Sequence, residues 1–139
     1  MQVDFTHKTT LRVRYGETDQ MGYCYYGNYA EYFEVGRVEC LRSLGLSYKT
    51  LEADGIMLPV SDFSVKYKHP ALYDDNLIIT TQITKVEGAR IEFNYLIHNE
   101  EQKLIATAST TLVFVNKKNM RPTQPPAKFV ALLEKHTPQ

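Results

Sequence analysis

The chain has 139 residues, of which 43% are hydrophobic and 23% are charged, as in one ordinary globular domain. The formal net charge is zero, which argues against a protein that binds nucleic acid or an anionic membrane through its overall charge. Residues 1–10 are polar and no apolar run is long enough to cross a bilayer. We therefore predict neither a signal peptide nor membrane insertion.

Two cysteines, Cys24 and Cys40, stand without a CxxC pair or a histidine-rich segment. This spacing predicts neither a disulfide framework nor a zinc site. The sequence also lacks the glycine-rich and metal-ligand motifs of nucleotide and metal sites, so we expect no cofactor and no metal. A reducing compartment, the cytoplasm, fits this cysteine usage best.

The first predicted elements are a strand and a loop. Leu11, Val13 and Tyr15 alternate with two arginines and a glycine, which predicts a strand over residues 11–16. A loop with two glycines follows over residues 17–27.

A long helix is predicted over residues 28–44. Hydrophobic residues recur there at steps of three, four and seven, which places them on one helix face. Asn28 has the residue type of an N-cap, and Glu31 stands three residues on, as in a capping box. Gly45 is placed to end the helix.

The second half of the chain is mainly β structure. Segments in which hydrophobic and polar residues alternate, and segments rich in Ile and Thr, are joined by short turns and predict four strands. A short helix is predicted after a proline-containing stretch. The strands cover residues 61–68, 76–86, 90–99 and 104–115, and the helix covers residues 127–135.

These elements predict an α+β fold. Long antiparallel strands in succession have an apolar face that must be covered, and the helix over 28–44 is long enough to cover it. The simplest solution is a curved antiparallel sheet wrapped around one central helix, the layout known as a hotdog fold. We expect residues 1–139 to form one such domain, with a core over about 10–116 and a C-terminal extension over 117–139.

The loop before the long helix carries the chemistry. Asp19 comes shortly before a helix N-terminus, where unpaired N–H groups and the positive end of the helix dipole lie. Such a donor can stabilise a carbonyl oxygen that becomes an oxyanion, typically by about 3–4 kcal/mol. The carboxylate can attack the carbonyl or take a proton from water. A lone loop aspartate is more often a turn or capping residue, and Glu17 is expected to be solvated.

The segment around Asp19 closely resembles a known signature. The matching residues are Tyr15-Gly16-Glu17-Thr18-Asp19, Gly22, Tyr25-Tyr26, Asn28-Tyr29, Phe33-Glu34, Arg37, Val65, Tyr67, Pro70-Ala71, Asp74-Asp75, Ala106, Ala108, Val113 and Val115. They resemble the 4-hydroxybenzoyl-CoA thioesterase family and the related acyl-CoA thioesterases associated with the Tol–Pal system. The resemblance runs from about residue 11 to residue 126 and involves many spaced positions in order.

The resemblance implies an enzyme that hydrolyses an acyl-CoA thioester to a carboxylic acid and free CoA. Asp19 takes the position of the family's catalytic aspartate, as nucleophile or general base, and the backbone N–H of Tyr26 takes the oxyanion role. Many Tol–Pal-type members have histidine where this chain has Tyr26, whereas the 4-hydroxybenzoyl-CoA branch has tyrosine, so this position bears on substrate preference. The resemblance also implies a homodimer or homotetramer with the active site at the subunit interface.

Four further residues are candidate substrate-binding residues. Tyr25 lies off the helix in a tyrosine-rich loop, and Asn28 lies at the helix start within the matching signature. Ser61 lies on a strand that is expected to face the active site of a partner subunit. Arg90 opens a strand after a hairpin, where it either meets the phosphates of CoA or belongs to a solvated face. Other residues are assigned structural roles: Tyr29 and Tyr32 to core packing, and His69 to the surface or a turn.

Three other functions remain open. A thioesterase that acts on acyl carrier protein would use the same residues. A resemblance to the hydratases of this fold would need an aspartate followed five residues later by a histidine, but that position is Cys24 here. A dehydratase would pair His69 with Glu31 or Glu34, and the spacing of these residues is unsuitable. A non-catalytic acyl-CoA-binding module would have a pocket without a working carboxylate, whereas Asp19 stands in its full motif.

Overall fold

The computed structural model describes residues 1–138. Its strands are β1 (Gln2–Arg12), β2 (Ile56–Met57), β3 (Val60–Tyr67), β4 (Asn76–Glu87), β5 (Arg90–His98), β6 (Leu104–Val113) and β7 (Val115–Asn116). Its helices are α1 (Tyr29–Ser43), α2 (Tyr48–Ala53) and α3 (Ala127–Glu134). Five strands form one antiparallel sheet in the order β1-β4-β5-β6-β3, and β2 pairs with β7. The predicted α+β arrangement of one antiparallel sheet and one long helix is confirmed.

The position of the first strand was predicted wrongly. β1 begins at Gln2, well before residue 11, and it pairs with β4 along its length. Its inward positions include His7 and Thr9, which are half-buried, so the hydrophobic alternation that marks a strand is weak there. Tyr15, expected to share the strand's inner face, lies in a single 3-10 turn and is exposed.

The start of α1 also differs from the predicted capping box. Asn28 already has helical backbone angles, and its side chain does not cap the helix. A 3-10 turn over Tyr26–Asn28 leads into α1, so the helical path begins at Tyr26. The Asn28 amide instead donates to the carbonyl oxygen of Glu17 at 2.7 Å.

The end of α1 is confirmed at Gly45, which has φ +87°. Its N–H donates to the carbonyl of Arg42 at 2.9 Å, and the N–H of Leu46 donates to the carbonyl of Leu41 at 2.9 Å. This pair of bonds is a Schellman motif, which favours glycine because it needs a left-handed residue.

One face of α1 packs on the sheet, with Phe33 and Leu41 fully buried. Gly36 faces β4, where an added Cβ would lie 2.6 Å from Oγ1 of Thr81 and 2.8 Å from Cγ2 of Ile79. The missing side chain therefore lets the helix approach β4 closely. Because α1 packs mainly against β1, β4 and β5, a groove remains between α1 and the edge strand β3.

The remaining predicted elements are confirmed within a residue or two. Gly88, with φ +58°, turns the hairpin between β4 and β5. The strand predicted to reach residue 115 ends as β6 at Val113, and Val115 belongs to β7. α3 adds Phe129 and Leu133 to the hydrophobic core. None of the helices within residues 1–138 is long and apolar enough to cross a membrane.

Candidate active site

The loop that carries Asp19 is a tight turn built on that residue. The Asp19 N–H donates to the Tyr23 carbonyl at 2.8 Å, and the Gly22 N–H donates to the Asp19 carbonyl at 3.0 Å. Oδ1 of Asp19 accepts from the N–H groups of Met21 (2.9 Å) and Tyr23 (3.3 Å). Oδ2 accepts no hydrogen bond from residues 1–138. Oδ1 therefore stabilises the turn, whereas Oδ2 is free to contact water or a substrate.

Glu17 fixes this loop to the rest of the molecule, and its expected solvation was wrong. Only 12% of its side chain is exposed. Its carboxylate accepts from the backbone N–H of Arg14 (2.9 Å), from the Arg14 guanidinium (2.9 Å) and from the hydroxyl of Tyr32 (2.9 Å). Burial opposes ionisation of the carboxyl, but these hydrogen bonds outweigh it and lower the pKa of Glu17.

The backbone of Glu17 organises the start of α1. Its carbonyl accepts from the N–H of Tyr25 (2.8 Å) and from the side-chain amide of Asn28 (2.7 Å). The predicted N-cap residue therefore connects the turn to the helix start through one of its amide hydrogens.

Donors are available where the helical path begins. The N–H groups of Asn28 and Tyr29 bond to the carbonyls of Tyr25 and Tyr26. Those of Tyr26 and Gly27 find no acceptor in the part of the chain that the structure describes. They lie at the positive end of the α1 dipole, so this helix start can stabilise an oxyanion.

Asp19 and Tyr26 line the same cleft, which has a volume of about 310 Å³. The end of β3 and the loop after it also contribute lining residues, and Tyr67, Lys68 and His69 among them were not predicted as site residues. The loops meet because the Cys24 N–H donates to the Ala71 carbonyl at 2.7 Å. The other lining residues are Met21, Tyr23, Cys24, Tyr29 and Pro70.

Tyrosine rings form one wall of the cleft. The prediction that Tyr29 and Tyr32 are core residues is confirmed, because each is almost fully buried. The rings of Tyr29 and Tyr67 lie 5.0 Å apart, and the Tyr67 hydroxyl donates to the Tyr26 carbonyl at 3.3 Å. Burial raises the pKa of Tyr29 to about 12, so this phenol stays protonated at neutral pH. The Tyr25 ring packs against the Tyr26 ring at an interplanar angle of 49°, with centroids 4.8 Å apart, but Tyr25 does not line the cleft.

Two predicted binding residues lie elsewhere in the chain. Ser61 is exposed on β3, and its hydroxyl donates to the Thr111 carbonyl at 3.1 Å. Arg90 lines a separate cleft of about 660 Å³ beside the β4–β5 hairpin, together with Lys85 and Glu87. Within one chain, neither residue joins Asp19 in its cleft.

The acid–base pairs of the alternative enzymes are not assembled. Cys24 is buried in the Asp19 cleft, and burial raises the pKa of its thiol. Glu31 and Glu34 line the next cleft along α1, whereas His69 lines the Asp19 cleft. No three His, Cys, Asp or Glu side chains among residues 1–138 are grouped to hold a metal ion.

A sheet around one central helix, with a carboxylate beside the helix start, places the chain in the hotdog class. The chain belongs to the Thioesterase-like superfamily, whose sequence profile matches residues 13–133. The predicted recognition of this family, of its fold and of a thioester hydrolase is confirmed.

Three relatives illustrate the similarity. Acyl-CoA thioester hydrolase YbgC of Escherichia coli O6:H1 is 35% identical over 121 residues, which cover 87% of this chain and 90% of the relative. Acyl-acyl carrier protein thioesterase ATL3 of Arabidopsis thaliana is 31% identical over 132 residues, covering 91% of this chain and 69% of the relative. The crystal structure of DHNA-CoA thioesterase from Staphylococcus aureus is 34% identical with a TM-score of 0.91, covering 94% of this chain and 90% of that chain.

Proposed function

We propose that this protein hydrolyses acyl-CoA thioesters, with Asp19 as nucleophile or general base and the backbone N–H of Tyr26 as oxyanion donor. One observation carries the proposal. Asp19, whose Oδ2 is free, lines the cleft. The unpaired N–H groups of Tyr26 and Gly27 lie at the helix start beside that cleft. Hydrolysis of a thioester needs both groups, because the carbonyl carbon is attacked while the carbonyl oxygen gains negative charge.

Two routes use this arrangement. As a general base, Asp19 takes a proton from water, the hydroxide adds to the carbonyl carbon, and the C–S bond breaks to release CoA thiolate, which is then protonated. As a nucleophile, Asp19 displaces CoA thiolate to form a mixed anhydride, which water then hydrolyses. In both routes the N–H of Tyr26 stabilises the negative oxygen, and the net products are a carboxylic acid and free CoA.

The other candidate residues take more limited roles in this proposal. Asn28 holds the helix start through Glu17, and the tilted ring of Tyr25 packs against that of Tyr26. Arg90 forms no ion pair within residues 1–138, whereas nearby Lys85 is paired with Glu87 at 2.7 Å. A free guanidinium in an open cleft suits the phosphates of CoA.

We also propose a homodimer or homotetramer in which Ser61 faces the partner's site. β3 has one neighbour in the sheet, β6, and it exposes Val60, Phe63 and Tyr67. An open edge with apolar side chains requires cover, and a second copy supplies it. Light scattering coupled to size exclusion should report two or four times the chain mass of 16.0 kDa, and a monomer at micromolar concentration would contradict the proposal.

Acyl carrier protein is the second candidate for the thiol partner. The similarity to ATL3, named as an acyl-acyl carrier protein thioesterase, favours it. The chemistry at Asp19 is the same for both carriers, so the residues around the carrier would decide between them.

Thiol release from purified protein tests the function. The panel contains short-chain, long-chain and aromatic acyl-CoAs, the matching acyl carrier protein thioesters and an enoyl-CoA. We expect thiol release from at least one acyl-CoA. Release from the carrier-protein thioesters alone would support the second candidate, and hydration of the enoyl-CoA without thiol release would support a hydratase. No turnover of any substrate would contradict the proposal.

A cytoplasmic location completes the proposal. Cys24 and Cys40 are free and buried, and such thiols persist most readily in a reducing compartment. Cell fractionation should recover the native protein with cytoplasmic markers, and recovery with secreted or periplasmic markers would contradict this part.

A further inference from the structure

A second cleft of about 270 Å³ follows the Asp19 cleft along the groove between α1 and β3. The Asp19 cleft contains the ring pair Tyr29–Tyr67, whose centroids lie 5.0 Å apart. The second cleft contains the pair Phe33–Phe63, at 6.0 Å. Tyr29 and Phe33 are buried and form the floor, whereas Phe63 and Tyr67 are partly exposed and form a wall. The groove is therefore lined by aromatic rings across both clefts.

The second cleft contains an unusual cation, Arg37. Only 7% of this residue is exposed, yet it forms no ion pair with any carboxylate in residues 1–138. Its Nε donates to the neutral hydroxyl of Tyr48 at 3.0 Å. Thr110, the other polar residue at this depth, has its hydroxyl bonded to that of Tyr95 at 2.6 Å.

A buried guanidinium without a counter-ion is costly unless an anion completes it. Within the described chain its hydrogen-bond partners are the neutral hydroxyls of Tyr48 and Tyr95, neither of which is an anion, and Arg37 lines the cleft. The planar guanidinium can bind both oxygens of a carboxylate at once. These donors therefore favour a carboxylate in the second cleft.

The spacing connects this cation to the reaction. Arg37 lies eight positions after Tyr29 on α1, which is about 12 Å along the helix axis. An acyl group that starts beside Asp19 and follows the aromatic groove reaches Arg37 with its far end. We infer that Arg37 is a specificity-determining residue that binds a carboxylate at the far end of the acyl group. This inference rests on the proposed thioesterase function.

The rim of the second cleft supports entry from the Asp19 side. Glu31 and Glu34 are exposed and line the same cleft, so an anion that approached from solvent would meet their negative charges. An acyl group threaded from the Asp19 cleft carries its carboxylate along the groove instead. The competing occupant is a carboxylate of a second copy of the chain, which would make Arg37 an interface residue.

Matched substrates separate these cases. Suberoyl-CoA, the mono-thioester of octanedioic acid, and octanoyl-CoA have the same chain length and differ in the terminal carboxylate. We expect the wild-type kcat/KM to be about 10–100-fold higher for suberoyl-CoA, the range of one charge-assisted contact. Arg37→Met should abolish that preference, so that the kcat/KM ratio of suberoyl-CoA to octanoyl-CoA falls to about one or below. Arg37→Lys should restore part of the preference, and Arg42→Met, an exposed control on the same helix, should leave it intact.

Each outcome decides the inference. Octanoyl-CoA hydrolysis by the wild type without preference for suberoyl-CoA would overturn it and leave the thioesterase proposal standing. Dissociation of the oligomer in Arg37→Met, with the preference retained, would overturn it in favour of a carboxylate of a second copy. Absence of thiol release from both substrates would remove the thioesterase proposal and this inference together. If Arg37→Met does not fold, inhibition of the wild type decides: octanedioate should inhibit about 10-fold more strongly than octanoate, and equal inhibition would overturn the inference.

Discussion

The hydroxyl of Tyr32, from the buried face of α1, donates to Oε1 of Glu17 at 2.9 Å. Glu17 lies in the 3-10 turn two residues before Asp19, so this bond ties the Asp19 loop to the central helix. The same hydroxyl lies 3.2 Å from the thiol of Cys24, which lines the Asp19 cleft. One phenol therefore connects the core of the fold with both ends of the Asp19 turn.

Tyr32→Phe tests this connection. The substitution keeps the ring but leaves Oε1 of Glu17 with the Arg14 backbone N–H as its remaining donor, which should lower the free energy of unfolding by about 1–2 kcal/mol. We expect kcat to fall as well, because the position of Asp19 relative to Tyr26 becomes less fixed. Urea denaturation and thiol-release kinetics measure the two effects. Tyr73→Phe, in an exposed ring, is the control and should change neither, and an unaltered kcat in Tyr32→Phe would show that the bond does not position Asp19.

Glu17→Gln tests the electrostatic part of the same cluster. Because the pKa of Glu17 is lowered in the folded protein, its ionised form stabilises the fold at pH values above the ordinary glutamate pKa of 4.5. That stabilisation is lost as the pH falls through the lowered folded-state pKa. Wild type should exceed Glu17→Gln in stability by about 1–2 kcal/mol at pH 7, given that Arg14 is largely exposed. The gap should shrink below pH 4.5, and a gap that does not change with pH would refute this origin.

Gly36→Ala tests how closely α1 approaches the sheet. The new methyl group would lie under 3 Å from Thr81 and Ile79, both of which are fully buried in β4. We expect a loss of about 1–3 kcal/mol in the free energy of unfolding, despite the higher helix propensity of alanine. Gly16→Ala, where an added Cβ meets no atom within 4 Å, should be close to neutral. Equal denaturation midpoints for the two variants would mean that the helix is not held so close.

The sequence predicts most of the fold because its hydrophobic periods are clear in most elements. α1 and the four later strands show regular spacing, and Gly45 has the residue type that its left-handed conformation requires. β1 is the exception, since His7 and Thr9 occupy half-buried inward positions. Their burial depends on pairing with β4, a long-range contact that local periodicity does not encode.

The site is predictable only in part for a related reason. The motif around Asp19 identifies the loop, but the capping pattern at Asn28 misleads, because its amide bonds to Glu17 across the loop. His69 is far from Asp19 in sequence, and its position before Pro70 predicted only a surface or turn residue. It lines the cleft because the Cys24 N–H bonds to the Ala71 carbonyl and brings the two loops together.

The most direct test of the central claim is thiol release by Asp19→Asn beside wild type on the same acyl-CoA. An asparagine Oδ1 can still accept from the N–H groups of Met21 and Tyr23, so the turn is kept while the charged oxygen is lost. Asp54→Asn, an exposed residue at the end of α2, is the matched control. The proposed mechanism predicts that kcat/KM falls at least about 100-fold in Asp19→Asn with unchanged stability and stays at the wild-type value in Asp54→Asn. A folded Asp19→Asn protein that releases thiol at the wild-type rate would contradict the assignment of Asp19.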